Sequence, residues 1–111
     1  MPPPLQGTIH KEDDKVIGNF AIDGLRLLAV INLPSLVEHS FDRIDAILEY
    51  TNLDDLKGEF NIGDDSVVGP DDLILSLKSE SGKKAKITAP IFPPLPSELK
   101  KDGTVVFRIH Y

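Results

Sequence analysis

Apolar and polar residues alternate with a period of two along much of the chain, the pattern of strands that bury one face. At the C-terminus TVVFRIHY sets Val105, Phe107, Ile109 and Tyr111 on one face, with Thr104, Val106, Arg108 and His110 on the other. DLILSLKS groups Leu73, Leu75 and Leu77 in the same way. KVIGNFAI and LRLLAVI are joined by Asp23 and Gly24. Two-residue hairpin turns favour that dipeptide because both central residues need positive φ. SLKSESGKKAKI reads as a second hairpin with Gly82 in its turn. Strands about ten residues apart, separated by Gly, Asp and Pro clusters, predict an all-β sandwich or barrel.

One segment fits two periods. In LPSLVEHSFDRIDAILEY, Val37, Phe41, Ile44 and Leu48 follow a helical repeat, and Ser35 with Glu38 has capping-box spacing. The same segment alternates as a strand through Ile44, Ala46, Leu48 and Tyr50. An internal comparison favours the strand. LQGTIHKEDDKVIG (5–18) matches LKGEFNIGDDSVVG (56–69) at Leu, Gly, Asp, Asp, Val and Gly, and LPS at 33–35 recurs at 95–97. Each LPS precedes an alternating run that ends in tyrosine, so 43–50 is expected to be a strand like 104–111. The expected fold is an eight-stranded antiparallel sandwich or barrel. It would be built from two pseudo-repeated four-stranded meanders, about 5–50 and 56–111, with at most a short helical turn near 35–41.

A chain of 111 residues forms one domain, here 1–111, with a single core. A 41% apolar and 27% charged composition is that of a globular fold, not a disordered chain. The net charge of -6 argues against nucleic acid and anionic membrane as partners, both of which need a basic surface. Cysteine is absent, which excludes disulfides, thiolate metal sites and thiol catalysis. No basic-then-apolar leader and no transmembrane-length apolar run is visible, so a cytoplasmic protein is expected, and the initial Met favours a complete chain.

The densest cluster of potential ligand oxygens is IGDDSVVGPDDL, where Asp64, Asp65, Asp71 and Asp72 flank a Ser-Val-Val-Gly-Pro bridge. If the loop folds back, these four could share a calcium ion, although the EF-hand spacing of alternating oxygens is missing. The competing reading is a turn, which Asp favours because its carboxylate bonds nearby backbone N–H groups. A second candidate is Phe92, Pro93, Pro94, Leu95 and Pro96. This stretch resembles the F-P-x-φ-P ligand motif bound by EVH1 domains, and the resemblance implies a partner-binding polyproline II segment. Its position between two expected strands favours instead a rigid crossing with Phe92 and Leu95 over the core edge.

His10 and His110 fall on polar strand faces and would be neighbours if the sheet closes, but two imidazoles make half a metal site. His39, Ser40 and Asp42 fall within four residues of one another, whereas triad members meet from distant positions. Nucleophile-elbow and phosphate-loop motifs are absent. With no Trp and only Tyr50 and Tyr111, the chain is poorly equipped to stack on sugars.

These features point to a non-catalytic β-domain binding or interaction module without a cofactor. Its partner would be a protein engaged through an edge strand or the loops at one end. The alternative is a small β-barrel holding an apolar ligand in a cavity lined by residues such as Leu27, Leu75 and Phe107. A calcium-dependent binding module or a small enzyme with a carboxylate-lined cleft comes third.

Overall fold

The alternating segments fold as strands. The structure, a computed structural model, describes residues 3–13, 15–22, 24–39, 43–91 and 94–110. In chain order its elements are β1 (Leu5–Glu12), β2 (Lys15–Ile22), β3 (Leu25–Asn32), α1 (Pro34–Val37), β4 (Ile44–Tyr50), β5 (Gly58–Ile62), β6 (Val67–Val68), β7 (Asp72–Lys78), β8 (Lys84–Pro90) and β9 (Thr104–His110). They form one sheet in the order β5-β9-β3-β2-β1-β4-β8-β7-β6, and a further β5–β7 pairing closes it. The result is an eight-stranded antiparallel barrel with β6 as an extra strand.

Turn chemistry sets the hairpins. β2 and β3 pair through Ile22↔Leu25 across a two-residue turn in which Gly24 has φ +80. β7 and β8 pair through Lys78↔Lys84, with Gly82 in their turn at φ +87. The residues between inward-facing positions point outward, so each described strand carries one core face. One inward row runs Leu5–Leu48–Ile87–Leu75 around four adjacent strands. All four are buried in a single continuous cluster. Phe60 and Phe107 meet edge to face within it, their ring centres 5.3 Å apart at 90°.

The ambiguous segment splits between the two periods. α1 is one turn long, with Pro34 in its first turn, no side-chain cap, and only Leu36 fully buried. β4 alternates buried and exposed without interruption from Ile44 to Tyr50. It is held by β1 on one edge and β8 on the other, and that pairing decides for the strand.

The halves are not simple meanders. In the first, β1, β2 and β3 follow one another, but β4 returns to pair with β1, giving the order β3-β2-β1-β4. The second has the corresponding order β8-β7-β5-β9. Each is a Greek key, with a crossover between its third and fourth strands. Both LPS sequences lie in these crossovers, and Leu33 and Leu95 are both buried there. Leu5 sits opposite Leu48 in β1–β4, whereas the β5–β9 ladder ends at Gly58↔Phe107 and does not reach Leu56, the residue that the sequence match aligns with Leu5.

Candidate functional site

The two Asp pairs have separate jobs. Gly63 to Ser66 form a β-turn closed by Ser66 N–H donating to the Gly63 carbonyl at 3.1 Å, with Asp64 and Asp65 at its centre. This turn lies inside a broken strand. Ile62 pairs with Leu77 and Val67 with Ile74, so five steps along β5–β6 match three along β7. The two extra residues bulge outward. Buried Ser66 anchors the bulge, its Oγ accepting from Ser76 N–H at 2.9 Å. Asp71 and Asp72 instead open β7, where the Asp72 carbonyl accepts from Gly69 N–H at 2.8 Å. All four carboxylates are on exposed residues. Among the described residues no three His, Asp or Glu side chains gather to hold a metal ion. Asp13, which the sequence match aligns with Asp64, occupies a different turn, the β1–β2 connection, at φ 56.

The proline-rich segment is part of the second crossover, and Phe92 and Pro93 lie outside the described residues. Pro94 and Pro96 are exposed, but Leu95 is only 5% exposed and belongs to the core cluster. Three backbone bonds tie the crossover to the barrel: Ile91 N–H to Asp71 O at 2.8 Å, Leu95 N–H to Pro70 O at 2.9 Å and Leu99 N–H to Val68 O at 2.8 Å. A bound ligand segment of this type needs its aliphatic residue free to enter a groove. Here that residue packs against its own barrel.

The histidines stay apart. β1 and β9 are separated by β2 and β3, so His10 and His110 are not on neighbouring strands as expected. His10 Nε2 lies 3.3 Å from Glu12 Oε2, and the His39 carbonyl accepts from Lys11 Nζ at 3.3 Å. Ser40 and Asp42 lie outside the described residues. Among those residues no helix is long and apolar enough to cross a membrane.

Closure of the barrel removes the ready-made edges through which a partner strand could add. The outer wall of β4, β8 and β7 is open to solvent. A surface cleft of about 490 Å³ opens there, bordered by the ends of these strands and by the bulge. Buried Tyr50, Leu77 and Ala85 form its floor, Lys78, Lys84 and Lys86 bring positive charge, and Glu49 and Asp65 negative charge. Register explains the gathering: Lys78 and Lys84 are direct cross-strand partners, and Lys86 lies between Glu49 and Ser76. Like charges set opposite each other on a sheet destabilise it. The ion pairs among the described residues are His10–Glu12 and Lys83–Asp55, so none of these three lysines has a carboxylate within 4.0 Å there.

The next outward row is apolar. It runs Ile47–Thr88–Ile74–Val67 across four strands. Ile47, 42% exposed, is the large hydrophobic residue that stands out among the described ones. The sequence carried a signal for this site. Lys78 and Lys84 sit three residues on either side of Ser81, so a hairpin centred there must pair them, and Lys86 alternates onto the same face. Their common face with β4 follows only from the strand order. No protein-family model matches the chain, and no curated protein or solved structure matches it significantly.

Proposed function

We propose that the protein is a non-catalytic binding module that takes a protein partner on the outer wall of β4, β8 and β7. The observation that carries this reading is the juxtaposition, beside an open cleft, of Lys78, Lys84 and Lys86, none in an ion pair among the described residues, with a row of Ile47, Thr88, Ile74 and Val67 in which Ile47 is exposed. Charged groups steer encounter, and a desolvated apolar patch supplies the binding energy. Edge-strand addition is disfavoured by barrel closure. The apolar-ligand alternative has less support, since Leu27, Leu75 and Phe107 lie within the continuous buried cluster and none of them lines the cleft.

Calorimetry on the full chain separates the two readings. The probes are laurate and three short peptides, one acidic, one neutral and apolar, and one basic. The binding-module reading predicts saturable heat from one peptide class, abolished by Ile47→Asp, and none from laurate. Stoichiometric laurate binding with silent peptides would overturn it in favour of an internal ligand.

A further inference from the structure

The wall carries more information than the presence of a patch. Its outward residues form bands along the strands. The lowest is Lys78 with Lys84, the next is Ser76, Lys86 and Glu49, and the third is Val67, Ile74, Thr88 and Ile47. At about 3.3 Å per residue, neighbouring bands lie about 7 Å apart, and the lysine band lies about 13 Å from the aliphatic band. An extended polypeptide has the same rise and the same two-residue repeat. Laid along β8, it presents side chains i, i+2 and i+4 to three successive bands.

We infer that the partner of this wall is an extended protein segment carrying two acidic residues and one aliphatic residue at alternate positions, acidic–x–acidic–x–aliphatic in one chain direction or the other. This inference rests on the wall being the binding surface and specifies what it binds. The first carboxylate sits between Lys78 and Lys84, relieving their mutual repulsion. The second meets Lys86, and the aliphatic side chain covers Ile47, Thr88 and Ile74. Glu49 beside Lys86 and Asp65 on the cleft margin set a limit. They add local repulsion toward any anion, and it is greatest for a polymer charged at every position, so the site favours a segment with only two carboxylates over nucleic acid or polyphosphate. The protein's net charge of -6 works in the same direction.

The test is fluorescence anisotropy with the full chain and a labelled peptide containing Asp-x-Asp-x-Ile, alongside a version with Ser for Ile, a version with adjacent acids, and polyphosphate. The expected result is saturable, salt-weakened binding. Lys84→Glu with Lys86→Glu, and separately Ile47→Asp, should each weaken it at least tenfold. Lys100→Glu, in the second crossover, should leave it within twofold. Circular dichroism melts of each variant confirm folding, and Lys86→Gln, which removes the charge and keeps a polar side chain one atom shorter, gives an intermediate loss.

Equal affinity for polyphosphate, or for the peptide with adjacent acids, would overturn the spacing inference and leave an unselective cationic patch. If the neutral peptide binds the wall and the spaced acidic one binds no better, the binding-module reading stands and this inference fails. If no peptide binds, both fail. Concentration-dependent self-association lost in Lys86→Glu would replace the inferred segment with a second copy of the chain, whose own Asp71 and Asp72 are exposed.

Discussion

Leu75→Ala separates a filled barrel from a hollow one. Leu75 is 0% exposed and faces inward from the middle of β7, in register with Ile87, which adjoins Leu48 and then Leu5. The substitution removes three carbon atoms. At about 0.8 kcal/mol per buried carbon the transfer loss is about 2.4 kcal/mol. The space left in a row fixed by four paired strands cannot collapse fully, which brings the total to about 3 kcal/mol. Against a typical overall stability of about 5–15 kcal/mol this is a large fraction. Urea unfolding followed by far-UV circular dichroism should show the midpoint falling by about 1–3 M at unchanged slope. The melting temperature should drop by about 12 °C. If Leu75 lined an empty ligand cavity, its methyl groups would have few neighbours to lose. A cost below about 1 kcal/mol, or restoration of wild-type stability by laurate, would refute the filled interior.

Three further outcomes follow from other parts of the fold. A Cβ on Gly7 would lie 2.1 Å from the Asn19 carbonyl oxygen and 2.6 Å from Phe20 Cδ1. Gly7→Ala should therefore destabilise by about 1–3 kcal/mol, and an unchanged thermal melt would show that β1 and β2 are not this close. Millimolar calcium should shift no amide between residues 63 and 73 saturably and leave the melting temperature unchanged, because Asp64–Asp65 and Asp71–Asp72 serve separate turns. A saturable shift with a raised melting temperature would restore the ion site. β1 starts beside the end of β4, and β9 runs toward the start of β5. A circular permutant with new termini in the 51–57 connection and a short linker between the native ends should therefore fold with the same amide spectrum in β2, β3, β7 and β8. Loss of cooperative unfolding would argue against the equivalence of the two Greek keys.

Much of the barrel was legible because its strands bury one face, and alternation reports that directly. The two-residue turn at Gly24 and the turn at Gly82 were visible for the same local reason: each needs a positive φ. Strand order was not legible. β4 pairs with β1 and β8, partners more than thirty residues away, and no local pattern distinguishes a meander from a Greek key. The internal sequence matches pointed to a strand at 43–50, where β4 lies, although they also aligned Asp13 with Asp64, which the fold uses in different turns. The candidate sites divide along the same line. The Asp pairs and the proline-rich segment drew attention by composition, whereas the lysine and isoleucine bands exist only once β4, β8 and β7 are side by side. Leu95 shows the converse: an apolar residue in a ligand-like sequence is drawn into the core of its own barrel.

An amide chemical-shift map shows whether a partner binds the outer wall of β4, β8 and β7. The full chain is titrated with the Asp-x-Asp-x-Ile peptide. Binding at the wall gives saturable shifts confined to residues 47–51, 74–78 and 84–88 and the adjoining bulge, with Ile17, Leu28, Val30 and Val106 on other strands unmoved. Shifts centred on those four residues or on the inward row, or none at saturating peptide, would contradict it.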